Sequence, residues 1–128
     1  MTTAVEVAEK GHQLAAWVNF NGTLAMTVET SYGPDAPPAD YSSPNPIRAA
    51  YNVASITDNG TADYTINFVT AMPDANYVTI GTHNRDITGN YGYAFAAPYN
   101  QAPTTTSVRV RPEPAIADAE YISVAIFR

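Results

Sequence analysis

The chain has 128 residues, about one domain with one core, and 45% of them are apolar, so a packed structure is expected rather than disorder. Twelve acidic residues against six basic ones give a net charge of −6, which argues against nucleic acid and anionic membranes as partners. Cysteine is absent, which excludes a disulfide framework, a thiolate nucleophile and a Cys-ligated metal.

The chain is predicted to begin with an N-terminal arm over residues 1–15, followed by a β domain over residues 16–128. Residues 4–10 favour a short helix that ends at Gly11. Because so short a helix is marginal in water, we expect the arm to pack on its own domain or on another subunit. No secretory signal and no membrane span is apparent. The candidate docking residues of the arm are Val5, Val7 and Leu14.

The first strands are predicted at residues 14–21, with Trp17 as a core anchor, and at residues 24–28. The following segment, residues 32–46, contains five of the ten prolines. Proline cannot donate a hydrogen bond to a strand ladder, so this segment is predicted to be an irregular loop.

A hairpin is predicted from residues 47–57 and 63–70, with its turn at residues 58–61, because Asn-Gly tolerates the positive φ of a tight turn. The second strand alternates apolar and polar residues, which is typical of a half-buried strand. Its apolar face is Tyr64, Ile66 and Phe68, and the matching face on the first strand is predicted to be Ile47, Ala49, Tyr51 and Val53.

Three further strands are predicted at residues 76–82, 92–97 and 105–111, separated by loops at residues 83–90 and 98–103. The final strand, residues 121–127, is apolar on both faces, with Ile122, Val124 and Ile126 opposite Tyr121, Ala125 and Phe127. Such a strand is usually central or covered by a second layer. The fold class is therefore predicted to be all-β, an antiparallel β-sandwich of seven to nine strands.

Catalytic and metal motifs are not evident, and we expect no enzyme activity, no metal and no cofactor. The two histidines, His12 and His83, have no second histidine at a ligand spacing. The run Asp58 to Asp63 resembles a calcium loop, but position twelve is Val69 where a closing glutamate is needed. Paired carboxylates leave a glycoside-cleaving depolymerase as a remote alternative, with Asp74, Asp86, Asp118 and Glu120 as its candidates.

A glycan site is a candidate beside the favoured interpretation of sheet packing, because tyrosine offers a flat face for a sugar ring and loops on a rigid scaffold commonly carry binding. In the alternative, Tyr91, Tyr93 and Phe95 simply pack one face of a sheet. The candidate contact residues for host or glycan are Tyr91, Tyr93, Tyr99, Asn84, Arg85 and Asp86.

Three blocks of sequence carry a family resemblance: Ala16-Trp17-Val18-Asn19-Phe20-Asn21-Gly22, residues 51–77 and residues 120–128. They resemble a small β domain found at the C-terminal ends of tail-fibre proteins of marine and aquatic bacteriophages. The resemblance covers residues 16–82 and 104–128.

This resemblance implies a bacteriophage virion structural protein, located in the particle and assembled in the host cytoplasm. It also implies a homotrimer, whose contact we expect at the final strand, through Tyr121, Ile122, Val124, Ile126 and Phe127. The partners would be other virion proteins of the tail or capsid, with a host-surface glycan or protein as a further one. Since Met1 stands about fifteen residues before the domain, we expect no long shaft. A short tail appendage docked by its arm is favoured, and a trimeric capsid decoration protein is the alternative.

Overall fold

A computed structural model describes residues 13–26, 46–84 and 94–128. These residues form eight strands and no helix, which confirms the all-β prediction. The helix predicted over residues 4–10 lies outside the described residues. The strands are β1 (Leu14–Phe20), β2 (Ile47–Tyr51), β3 (Val53–Gly60), β4 (Asp63–Phe68), β5 (Val78–His83), β6 (Ala94–Ala96), β7 (Ser107–Glu113) and β8 (Ile122–Phe127).

The strands form two antiparallel four-stranded sheets, as a β-sandwich requires. Sheet A has the order β2-β1-β8-β5, and sheet B has the order β3-β4-β7-β6. The final strand β8 therefore lies between β1 and β5 and is central in its sheet, as its apolar pattern predicts.

The core lies between the two sheets and follows the two-residue period of the strands. Sheet A contributes alternate residues of β1 and β8, and sheet B contributes alternate residues of β4 and β7. The buried residues of these four strands are Ala16, Val18, Phe20, Ile122, Val124, Ile126, Tyr64, Ile66, Phe68, Val108 and Val110.

The segment 47–57 was predicted as one strand, and this prediction is wrong. It divides at Asn52, with β2 pairing with β1 in sheet A and β3 pairing with β4 in sheet B. Only Val53 of the predicted apolar face meets the 63–70 strand, where it lies opposite Phe68. The hairpin of β3 and β4 itself is confirmed, although β3 continues through Gly60 and the turn falls on residues 61 and 62.

Asn52 stabilises the crossing, the point between β2 and β3 at which the chain passes from sheet A to sheet B. Its backbone is left-handed, with a φ of 53°, and its side chain is buried. The side-chain amide donates to the carbonyl oxygens of Ala15, in sheet A, and Thr70, which follows sheet B, at 3.0 and 3.1 Å. Its carbonyl oxygen accepts the Thr70 N–H at 2.7 Å. Asparagine suits the position because it tolerates positive φ and supplies both a donor and an acceptor.

A second buried polar contact lies at the turn that joins β3 to β4, at the other end of this hairpin from Asn52. The Tyr64 hydroxyl donates to Asp118 Oδ1 at 2.8 Å and lies 3.2 Å from the Gly22 carbonyl oxygen. Asp118 Oδ1 also accepts the N–H of Ala62, whose φ is 52°. Burial, with the Asp118 carboxylate beside it, raises the pKa of Tyr64 far above its usual value. The hydroxyl therefore stays protonated and remains a donor.

Several predicted boundaries need correction. Residues 24–26 form no strand, because the Asn21 side chain accepts hydrogen bonds from the Thr23 N–H and hydroxyl and closes a turn; residues 27 and 28 lie outside the described residues. Strand β7 runs through Pro112 to Glu113, whereas a loop was predicted there. The ladder between β7 and β4 ends at Val110, so Pro112 removes no hydrogen bond from it.

The Asn52 crossing predicts a graded pair of variants. Asn52→Gly keeps the backbone conformation but removes the side-chain partner of three backbone groups, the carbonyl oxygens of Ala15 and Thr70 and the Thr70 N–H, so we expect it to lower the free energy of unfolding by about 1–3 kcal/mol. Asn52→Ala should lower it by about a further 1–2 kcal/mol, because alanine is strained at positive φ. Urea unfolding followed by circular dichroism measures both values. Equal stability of the two variants would contradict the backbone part of this account.

The Tyr64 contact predicts a coupled pair. A Cβ added at Gly22 would lie 2.3 Å from Tyr64 Oη and 2.9 Å from the Ala119 carbonyl oxygen. Gly22→Ala should therefore cost about 1–3 kcal/mol from overpacking. Tyr64→Phe should cost about 1–2 kcal/mol from the lost hydrogen bonds. The double variant should be less destabilised than the sum, because the closest clash disappears with the hydroxyl. Strict additivity in urea unfolding would refute the contact as the cause.

Candidate docking surface

The outer face of sheet A points away from the core and is largely apolar at one end. The strand registers place its side chains in rows that run across the sheet. One row is Leu14, Phe127 and Val78, and the next is Tyr51, Trp17, Ala125 and Ile80. Trp17 therefore lies on this outer face, and the prediction that it anchors the core is wrong: the buried positions of β1 are Ala16, Val18 and Phe20.

A groove of about 400 Å³ runs along β8 on this face. Its floor is formed by the small residues Ala125 and Ser123, and its walls include Trp17 on β1 and Ile80 on β5. The groove exists because β8 carries short side chains between two strands that carry long ones. Its two walls stand about 10 Å apart, twice the spacing of neighbouring strands.

The other end of the same face is polar, and its groups are hydrogen-bonded to each other. Asn19 Nδ2 donates to Ser123 Oγ at 2.9 Å, and Arg48 Nη1 donates to Asn19 Oδ1 at 3.2 Å. Arg48 Nη2 donates to the Glu120 carbonyl oxygen at 2.7 Å, and the Arg48 guanidinium carbon lies 4.0 Å from the centre of the Tyr121 ring. Arg48 and its hydrogen-bond partners thus form the polar border of the apolar surface.

The residues predicted for a subunit contact fall on both sides of sheet A. Ile122, Val124 and Ile126 are buried in the core of the subunit itself, at 0, 2 and 0% exposure, so they cannot touch a neighbouring subunit. Tyr121 and Phe127 remain exposed at 42 and 38%. The sequence analysis missed Val78 and Ile80 of β5, which are more exposed still, at 56 and 54%. Their period-two alternation with Thr79 and Gly81 was the available signal.

The predicted docking residues of the arm are only partly described. Leu14 lies in β1 opposite Phe127 and is 43% exposed, so the sheet begins before the predicted domain boundary at residue 16. Val5 and Val7 lie outside the described residues.

The outer face of sheet B is polar by contrast. Asn67 Nδ2 donates to Ser55 Oγ and Thr57 Oγ1, and Asn59 Nδ2 donates to Thr65 Oγ1. Such cross-strand hydrogen bonds are typical of a sheet face in contact with water. The two outer faces of the sandwich therefore differ in kind, and only that of sheet A exposes a broad apolar surface among the described residues.

Charged residues on sheet B surround Tyr99. The carboxylate of Asp63 accepts two hydrogen bonds from Arg109, at 2.8 and 2.6 Å. The guanidinium carbons of Arg109 and Arg111 lie 5.5 and 4.7 Å from the centre of the Tyr99 ring, and Arg111 also donates to its hydroxyl. Both the ring and the hydroxyl of Tyr99 are thus engaged within the chain.

The predicted glycan contacts are not assembled by the described residues. Asn84 bonds to Tyr121 through both its backbone N–H and its side-chain Oδ1, at the end of sheet A rather than beside Tyr99. Phe95 packs inward against Gly81, as the sheet-packing alternative has it. Tyr91, Tyr93, Arg85 and Asp86 lie outside the described residues.

Three of the other chemical candidates, Asp74, Asp118 and His83, are held in structural contacts. Asp74 pairs with Arg128, and Asp118 accepts from Tyr64. A ring nitrogen of His83 lies 3.0 and 3.1 Å from the carbonyl oxygens of Ala94 and Glu113. Within residues 13–26, 46–84 and 94–128, no group of three His, Asp or Glu side chains could hold a metal. In the same ranges, no helix is long and apolar enough to cross a membrane.

Comparison with known proteins adds no assignment: neither the family models, nor the curated proteins, nor the solved structures contain a match to this chain.

The pair of Asp63 and Arg109 predicts a pH-dependent part of the stability. The Arg109 guanidinium holds the pKa of the Asp63 carboxyl below its usual 3.8. Because the folded-state pKa is depressed, the stabilisation is present above pH 3.8 and is lost as the pH falls through the folded-state pKa. Asp63→Asn should lower the free energy of unfolding at neutral pH by on the order of 1 kcal/mol. In urea unfolding the gap between variant and parent should close in acid; a constant gap would contradict this.

Proposed function

We propose that this chain is a non-catalytic bacteriophage virion protein that attaches to other virion subunits through the outer face of sheet A. The virion role comes from the resemblance of three sequence blocks. The attachment face is the observation that carries the proposal, because a broad apolar surface on a small β domain marks an interaction site.

The difference between the two outer faces of the sandwich supports attachment through sheet A. On sheet A, Ile80 and Phe127 are exposed, and Trp17 and Ile80 line the groove along β8. On sheet B, the outward Ser, Thr and Asn side chains bond to each other and suit contact with water. A subunit built this way docks with one face and leaves the other at the particle surface.

Among the described surfaces, the outer face of sheet A would gain most from a partner, because apolar area in water is unfavourable by roughly 25 cal/mol per Å². A short tail appendage remains the favoured position in the particle, and a capsid decoration protein remains the alternative. The host contacts are a separate proposal that rests on the loops.

The virion assignment predicts that the chain is found in purified particles of the phage that encodes it. Mass spectrometry of gradient-purified particles should detect it at a fixed ratio to the other structural proteins. Immunogold labelling with an antibody to this chain should then mark one place: gold at the tail end supports the appendage, and gold over the shell supports the decoration protein. If the chain is missing from pure, infectious particles, the virion assignment is wrong.

A further inference from the structure

We propose that a second copy of this chain covers the outer face of sheet A, in a two-fold pair whose axis runs parallel to the strands, between β1 and β8. The inference rests on the proposed function, because it names the partner of the same attachment face. It also specifies the symmetry, which follows from the arrangement of large and small side chains.

The central argument is that Trp17, the only tryptophan, and Ala125 are direct neighbours across β1 and β8. One is the largest side chain of the face, and the other forms the floor of the groove. A two-fold axis midway between these strands places β1 of each copy over β8 of the other. Each Trp17 then enters the groove of the second copy above Ala125. A surface with a projection beside a matching recess is self-complementary, as an isologous contact requires.

The rest of the face matches under the same operation. The axis places β2 of one copy over β5 of the other, which brings Tyr51 over Ile80. It also places Leu14 over Phe127, so apolar residues cover apolar residues along both rows. With sheets packed about 10 Å apart, these side chains can interdigitate as they do inside a sandwich.

At the polar end of the face, the neutral side chains can be covered without losing their hydrogen bonds. Under the two-fold operation Asn19 lies over Ser123, and within each copy these two side chains already share a hydrogen bond. The Asn19 side-chain oxygen also accepts from Arg48. Burial of neutral polar groups is unfavourable chiefly when they lose their hydrogen bonds, and Asn19 and Ser123 keep theirs, while the charged Arg48 guanidinium has to stay in contact with water at the rim of the pair.

The size of the face sets the expected strength of the pair. Four strands of about six residues give a face about 19 Å wide and about 20 Å long, or about 400 Å² per copy before corrugation is counted. Stable complexes bury about 800 Å² per partner, so this contact has about half the area of a stable complex before corrugation is counted. We therefore expect a reversible pair that dissociates on dilution, strengthened in the particle by its neighbours.

Analytical ultracentrifugation of the full chain over a concentration series tests the pair. The expected result is a reversible equilibrium between monomer and dimer, and the emission of Trp17 should shift to longer wavelength over the same concentration range as the dimer dissociates. A trimer would overturn the two-fold arrangement in favour of the three-fold one that the resemblance implies. A monomer at every concentration, with unchanging emission, would overturn the second copy as the partner.

Matched variants locate the contact. Ile80→Glu places a charge beside the groove and should abolish the dimer, whereas Ile116→Glu, at a 63% exposed isoleucine outside the face, should leave it intact. Circular dichroism checks that both variants fold, and Val78→Glu replaces Ile80→Glu if that variant does not. A folded Ile80→Glu variant that still dimerises would refute the proposed face. These outcomes are independent of the virion assignment, which depends on whether particles contain the chain.

Discussion

The crossing at Asn52 is the constraint on which the rest of the architecture depends. At this one residue the chain leaves sheet A and enters sheet B, so the two strands on either side of it belong to different sheets instead of pairing. The turn needs positive φ, and the surrounding backbone needs both a donor and an acceptor from one buried side chain. Asparagine is the residue that meets both needs.

The crossing also explains why the two outer faces differ. Because β2 stays beside β1, the apolar row that contains Trp17 extends onto Tyr51 and widens the outer face of sheet A. Because β3 goes to sheet B, its outward residues Ser55, Thr57 and Asn59 join the polar residues of β4. A single residue thus separates a segment of mixed character into an apolar contribution to one face and a polar contribution to the other. The functional asymmetry of the sandwich follows from its connectivity.

The sequence predicts the strands better than it predicts their faces. Regular alternation in β4 gave the buried set Tyr64, Ile66 and Phe68 correctly, and the doubly apolar pattern of β8 correctly placed that strand in the centre of a sheet. Trp17 was assigned to the core wrongly, because β1 is apolar on both faces and size alone favours the interior. The division at Asn52 was missed because Ile47, Ala49, Tyr51 and Val53 alternate without interruption. Alternation reports that two faces exist, but only the pairing of strands decides which one meets the core.

The central strand β8 connects the fold to the proposed assembly. One of its faces is covered by sheet B, yet its other face carries Ala125 and Phe127 outward between the longer side chains of β1 and β5. Ala125 and Phe127 give this outer face apolar area that a partner from outside the described fold would remove from water. The net charge of −6 opposes indiscriminate association of subunits, because like-charged molecules repel until specific contacts outweigh the repulsion. A groove that admits one large side chain, next to a strand that supplies one, gives such a specific contact. The same two residues, Trp17 and Ala125, would then determine both the shape of the surface and the partner that fits it.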